Sequence, residues 1–383
     1  MTPNDDTSAT PWSVGLMTGT VLDGNIDVAL LRTDGTRILD FGPWDLIVYE
    51  PGVLQLLERA LEAARKWAFE GPEPDVFARA ERALTDAQGD AVRQVLAAHR
   101  IAPADVAVIG FHGQSVLHRA PLDGNAGRTR QLGDGARMAA RLGIDVVADL
   151  RANDVAAGGH GAPLCPVYHR ALLERVGGAE RRAFLNIGGV ANLTWCGGGA
   201  LVAFDTGPGN APIDDWMRAT RGEAMDRDGR LAARGAVDEA RVSAALAHPW
   251  FARPAPKSLD RFDFGTEAAR GLSPADGAAT LTAITAASVA RALEHLPGRA
   301  EELVIGGGGR GNPTLLDEIR RRAGVTVSPA EAVGLRGDAI EAECFAFLAA
   351  RSLAALPLSY PTTTGVAKPT TGGVPHRARH APR

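Results

Sequence analysis

From residue 14 the chain alternates short apolar runs with turn residues, and the spacing of the runs predicts its elements. Residues 14–17 and 26–31 read as strands separated by a turn over 18–25. Asp34-Gly35 then reverses the chain into a third strand over 38–48. Such an opening is an antiparallel meander, which is not how a dinucleotide-binding domain begins. Apolar residues at helical spacing predict helices over 53–69 and 74–99. Beyond Pro103, strands over 106–111 and 144–148 flank a helix over 135–142. Around Glu180 the pattern starts afresh, with strands over 183–187 and 191–195 joined through Gly188-Gly189 and a third over 201–204. A helix over 278–296, a strand over 303–305, a glycine cluster, a helix over 313–322, a strand over 325–328 and a helix over 338–353 complete it. Two successive units, each with hairpins first and β/α alternation after, predict an α/β protein of two lobes with a cleft between them.

Composition narrows the function classes. A chain of 383 residues, 45% of them hydrophobic, can bury the cores of two domains. Its net charge of −4 lacks the basic footprint of a nucleic-acid binder. Residues 1–11 are polar and acidic, unlike a signal peptide or anchor, and no apolar run is long enough to span a bilayer. Cys165, Cys196 and Cys344 lie far apart with no metal-ligand spacing, which points to isolated thiols in a reducing, cytoplasmic compartment. His112 and His118 would need a third ligand to hold a metal, and the sequence offers none, so no metal-ligating set of side chains is expected. Residues 362–383 are rich in Thr, Gly, Pro and Arg, and 375–383 are expected to form a disordered tail.

Three glycine clusters carry the candidate chemistry. Gly19, Thr20, Val21, Leu22, Asp23 and Gly24 form a hairpin turn, either a plain glycine turn or an anion nest with Asp23 facing a magnesium ion. No GxxxxGK[ST] motif is present. Asp205 closes a strand ahead of Thr206-Gly207-Pro208-Gly209-Asn210, so it reads either as a general base or as a carboxylate bonding turn amides. Gly306, Gly307, Gly308 and Gly309 with Gly311 and Asn312 spell a GxGxxG between a strand and a helix, with Glu331 about twenty residues on. A dinucleotide fingerprint and a sheet edge packed against a nucleotide both fit that cluster. His112, Gln114, Gln131, Arg151 and Asp154 lie near predicted strand ends. Residues 158–163 form a plain loop or one that closes over substrate.

In their order these residues resemble the anhydro-N-acetylmuramic acid kinase family, over about 14–374. Gly15-Leu16-Met17-Thr18-Gly19-Thr20 with Leu22-Asp23-Gly24 is similar to the family's first phosphate loop. His112-Gly113-Gln114, Gln131-Leu132-Gly133-Asp134, Leu185-Asn186-Ile187-Gly188-Gly189, the Asp205–Asn210 motif, Lys257-Ser258 and Gly337-Asp338 with Glu341 follow in sequence. The resemblance implies a two-lobed actin/hexokinase-like, ribonuclease H-like fold with an interdomain cleft for ATP and sugar. Residues 12–182, joined by about 355–374, would form the N-terminal lobe, and 183–354 the nucleotide-binding lobe. It implies an ATP- and Mg²⁺-dependent kinase acting on a small-molecule amino sugar in peptidoglycan recycling, and leaves a homodimer open. Asp205 would be the base and a sugar contact. The nucleotide would meet residues 19–24, Asn186, Gly188, Gly189, Asn192, 306–309 and Asn312. The sugar would meet His112, Gln114, Gln131, Arg151, Asp154 and Glu341. Val21, Asn25, Gly135, Ala152 and Asn153 depart from the family's usual residues. A kinase for another amino sugar, a dinucleotide-dependent oxidoreductase and a non-catalytic sugar-sensing relative are the rival readings.

Overall fold

The computed structural model describes residues 10–18, 22–121 and 124–378. It divides into two compact units. The first takes the chain up to Ala171, Ala339–Pro361 and the residues from Gly365 on; the second takes Leu172–Asp338 and Thr362–Thr364.

In the first unit β1 (Trp12–Met17), β2 (Asn25–Thr33) and β3 (Ile38–Val48) form the expected meander, followed by α1 (Pro51–Trp67) and α2 (Val76–Ala98). β4 (Val106–Phe111) returns parallel to β1. Next comes a hairpin that the polarity pattern does not show, β5 (Gln114–Arg119) with β6 (Arg128–Leu132). Its strands carry Ser, His, Arg, Thr and Gln among few apolar residues, so no clean alternation marks them. α3 (Gly135–Leu142) starts on the Asp134 carboxylate, which accepts the Arg137 N–H at 2.8 Å, and ends on Gly143 at φ +68°. β7 (Val146–Ala148), the short α4 (Ala152–Ala156) and α5 (Pro166–Val176) follow, and the boundary between the units falls within α5.

The second unit repeats the plan. β8 (Arg182–Ile187), β9 (Val190–Trp195) and β10 (Val202–Pro208) are antiparallel, and β11 (Glu302–Gly306) and β12 (Thr326–Pro329) extend the sheet in parallel from β8. The strand order is β10-β9-β8-β11-β12. Between β10 and β11 lie α6 (Ala211–Arg221), α7 (Glu239–Leu246) and α8 (Pro274–Leu293); α9 (Pro313–Ala323) joins β11 to β12. α8, rich in Ala and Thr, is buried on most of its surface, which lets neighbours approach it from several sides. The antiparallel β8–β9–β10 meander excludes the parallel sheet that a dinucleotide-binding fold requires.

The chain then re-enters the first unit through α10 (Ile340–Leu353) and β13 (Val374–His376). With the boundary expected at 182/183 falling at 171/172, three expected boundaries shift. α10 was expected in the nucleotide-binding lobe, yet it lies on β1 and β4, where glycines admit its backbone. A Cβ on Gly15 would come within 1.8 Å of the Ala342 carbonyl oxygen, and one on Gly110 within 2.0 Å of that of Phe345. Residues 374–376, partly inside the expected disordered tail, form an edge strand antiparallel to β7, and the Ala378 N–H donates to Asp145 at 2.8 Å. The first sheet runs β13-β7-β4-β1-β2-β3. Each unit thus carries a three-stranded meander extended by parallel strands from its first strand. This is the duplicated ribonuclease H-like topology of the actin/hexokinase fold.

Candidate active site

The second unit brings its expected residues into one row. Strand register pairs Asp205 on β10 with Asn192 on β9, Asn192 with Asn186 on β8, and Asn186 with Gly306 on β11. Directly paired residues share a face, so the carboxylate and two carboxamides form a polar line ending at a glycine. Asp205, Asn192 and Asn186 are each half-buried in a sheet whose interior is apolar. Gly188-Gly189 and Gly209-Asn210 interlock beside this line: the Asn210 N–H donates to the Gly188 carbonyl at 2.8 Å and the Gly209 N–H to that of Gly189 at 2.9 Å. The Asn210 carboxamide donates to the Ile187 carbonyl at 3.3 Å and stands near Gly308 and Gly309. Gly307 needs its glycine, because at φ +71° an added Cβ would lie 2.6 Å from the Ile187 carbonyl oxygen. Gly308 is exposed, and a Cβ there would meet only Asn210 Nδ2, at 3.8 Å. These turns form an open backbone cradle of the kind a nucleotide phosphate or ribose can approach.

Asn312 takes a different place from the rest of the expected nucleotide set, whereas Asn192 stays in the row. The Asn312 carboxamide accepts the Leu315 N–H at 3.0 Å and so caps α9. Asn192 stands directly opposite Asp205.

Asp205 is held by a segment that sequence reasoning passed over as part of a motif. Its N–H donates to the Lys257 carbonyl at 2.9 Å, and its Oδ2 accepts the Leu259 N–H at 2.8 Å. Burial pushes the carboxyl up to about 7, opposed by the Leu259 N–H and by the charge of Lys257. A carboxylate poised near neutrality suits proton abstraction at physiological pH. The Lys257 ammonium donates to the Phe251 carbonyl at 3.0 Å and lies 4.5 Å from the Trp250 ring centroid. Burial and the charges of Arg291 and Arg253 bring it down to about 8.

The first unit gathers most of the expected sugar contacts. Arg151 donates to His112 Nε2 at 3.2 Å and 3.0 Å and to the Gly161 carbonyl at 2.8 Å. Because Nε2 accepts, the His112 proton sits on Nδ1, which donates to the Gly113 carbonyl at 2.8 Å. Burial, and then the Arg151 charge, bring His112 down to about 3, so the ring stays neutral. Gln131 donates to the His112 carbonyl at 2.9 Å, and Gln114 leaves a buried carboxamide oxygen without a partner. Gln131 reaches this group from β6 of the unforeseen hairpin, whose other strand begins at Gln114. Asp154 accepts the Gly161 N–H at 2.6 Å and so shapes the 158–163 loop. Glu341, exposed at the start of α10, acts electrostatically on Arg151. Cys344 and Cys165, remote in sequence, are neighbours beside Arg151, and burial holds the Cys344 thiol well above its usual range.

Of the first loop, Gly19, Thr20 and Val21 lie outside the described residues. Leu22 has φ +46° and Gly24 φ +91°, while the exposed Asp23 accepts the Asn25 N–H at 3.0 Å. Below the loop is an anchor that sequence reasoning missed. The hydroxyls of Thr18 and Tyr49 lie 2.8 Å apart, and Gln88 donates to them at 2.7 Å and 2.8 Å. Burial pushes Tyr49 up to about 12, so its hydroxyl keeps its proton.

Comparison with known proteins shows the family. Residues 11–377 match the family described as anhydro-N-acetylmuramic acid kinase. A protein of that name from Rhizobium rhizogenes is 56% identical over 363 residues, 94% of this chain and 98% of the relative. One from Brucella anthropi is 56% identical with the same coverage, and anhydro-N-acetylmuramic acid kinase 2 from a Jannaschia species is 56% identical over 94% of this chain and 96% of its own. With the two repeated topologies and the Asp205 row in place, the chain belongs to the anhydro-N-acetylmuramic acid kinase family.

Proposed function

We propose that this protein uses ATP and water to convert 1,6-anhydro-N-acetylmuramic acid to N-acetylmuramic acid 6-phosphate and ADP. The observation that carries the chemistry is Asp205, a carboxylate with one oxygen pinned, poised near neutrality, at the head of a polar row that leads to a glycine cradle. Asp205 takes the proton of a water attacking the anomeric carbon, as the base of an inverting glycosidase does. The C1–O6 bond breaks, and O6 takes the phosphoryl group that MgATP supplies. Capture by phosphorus removes the need for a separate acid at the leaving oxygen.

The turns at Gly188-Gly189 and Gly306–Gly309 position the nucleotide, and positioning with charge neutralisation is most of what phosphoryl transfer asks of a protein. Magnesium fits as an ion carried on the phosphates, since it usually takes only one or two carboxylates from the protein. Asp23, exposed beside the first loop, is the carboxylate we assign to it or to its water shell. His112, Gln114, Gln131 and Arg151 are assigned to the sugar. The unpartnered Gln114 oxygen and the fixed neutral tautomer of His112 support that assignment. No helix among the described residues is long and apolar enough to cross a membrane, and we place the activity in the cytoplasm.

Asp205→Asn tests the reading. It should lower kcat by at least about 10²-fold, the lower end for a lost general base, while MgATP still raises the melting temperature. Near-wild-type ADP release from the anhydro-sugar would remove Asp205 from the mechanism.

A further inference from the structure

We propose that Lys257 is the positioning residue of this reaction: its segment clamps Asp205 from two sides, fixing Oδ2 and leaving Oδ1 as the oxygen that takes the proton. The inference rests on Asp205 being the base. The clamp is geometric. The Lys257 carbonyl accepts the Asp205 N–H at 2.9 Å, and two residues later the Leu259 N–H donates to Oδ2 at 2.8 Å. Asp205 is thereby tied at backbone and side chain to one three-residue stretch. A carboxylate held this way cannot exchange its two oxygens by rotation without losing the Leu259 bond. Oδ1 carries no such tie to this stretch, so its lone pairs are the ones left to accept a proton.

Lys257 fixes the stretch in turn. The residue is 6% exposed, its ammonium bonds to the Phe251 carbonyl at 3.0 Å, and it sits over the Trp250 ring. Trp250 is itself tied back, its indole N–H donating to the Ser258 carbonyl at 3.1 Å. Lys257, Trp250 and Ser258 thus close a loop of contacts that sets where the Leu259 N–H points. The β-bulge between Asp205 and Gly207 gives a reason for the device. The ladder to β9 shifts register just after Asp205, so the strand pairing alone does not define the carboxylate's aim.

The ammonium also acts through space. It favours the ionised form of Asp205, while Arg253 and Arg291 are the further charges that bear on Lys257. Removing the positive charge should therefore make Asp205 harder to ionise as well as less well aimed.

The test is the pH profile of kcat/KM for the anhydro-sugar, followed by coupled ADP release in the full chain carrying Lys257→Met, Lys257→Gln or Lys257→Arg. Loss of charge should move the acid limb upward by roughly half a pH unit, less than a direct ion pair would, and lower kcat at least about tenfold. KM for ATP should be unchanged. Lys257→Arg should return the limb to its wild-type position, which a purely structural role would not require. Lys257→Gln keeps a donor for the Phe251 carbonyl, so it serves if Lys257→Met does not fold. An acid limb unmoved in a folded charge-removing variant overturns the inference, as does an equal shift in Lys257→Arg. If Asp205→Asn is inactive while the Lys257 variants titrate like wild type, only the positioning role falls; if Asp205→Asn turns over normally, the base assignment falls first.

Discussion

Replacing Gly308 by alanine separates the fold from the nucleotide site in one substitution. The new methyl would meet nothing in the protein closer than Asn210 Nδ2, at 3.8 Å, which is ordinary van der Waals contact. Gly308 is exposed and is not among the glycines with positive φ, so neither strain nor burial opposes the change. The melting temperature should therefore stay within about 1 °C of wild type, as for other neutral surface changes. A nucleotide packed against the Gly306–Gly309 backbone would be displaced by that methyl. Overpacking of this kind costs about 1–3 kcal/mol, which is roughly five- to 150-fold in affinity. The assay is the KM for ATP in coupled ADP release, alongside the thermal shift given by MgATP. Gly311→Ala is the control, since its added Cβ would meet nothing within 4 Å. If Gly308→Ala bound ATP as tightly as wild type while remaining folded, the cradle would not be a nucleotide contact.

Three further outcomes follow from the structure. Because burial raises Asp205 to about 7, kcat/KM should fall about tenfold for each pH unit below that value, and a pH profile flat down to about pH 5 would contradict the environment described. The sign for stability is the reverse. A carboxyl raised above its unfolded value of about 3.8 favours the folded state increasingly as pH falls from about 7 toward 3.8, so Asp205→Asn should be stabilising at pH 8, by up to about 4 kcal/mol, in denaturant unfolding. Gly15→Ala should do the opposite of Gly308→Ala: its Cβ would press to 1.8 Å from a backbone carbonyl of α10, costing about 3 kcal/mol and roughly 6–12 °C of melting temperature. An unchanged melting temperature would mean that α10 does not rest on β1 as described.

Much of this protein is written locally in the chain. The first meander, the restart near residue 180, the helices over residues 51–67 and 76–98 and the strand that carries Asp205 all follow from apolar spacing and turn residues, although that strand runs on to Pro208 instead of closing at Asp205. The glycine clusters announced close backbone approach, and their order along the chain carried the family resemblance. What the sequence did not decide depends on contacts between distant residues. Gly15 and Gly110 are visible as glycines within strands, but that α10 lies over them is set by packing across more than two hundred residues. Gln114 and Gln131 looked like isolated polar residues because a half-exposed polar hairpin has no hydrophobic alternation to reveal it. Cys165 and Cys344 become neighbours only when α10 folds back onto the first unit. The chemistry of Asp205 belongs to the same class. Its identity and its place on a strand are local, whereas its elevated pKa comes from burial, and its aim comes from a segment more than fifty residues further on. Propensity and periodicity act over a few residues, but desolvation and hydrogen-bond partners exist only once the tertiary structure has assembled them.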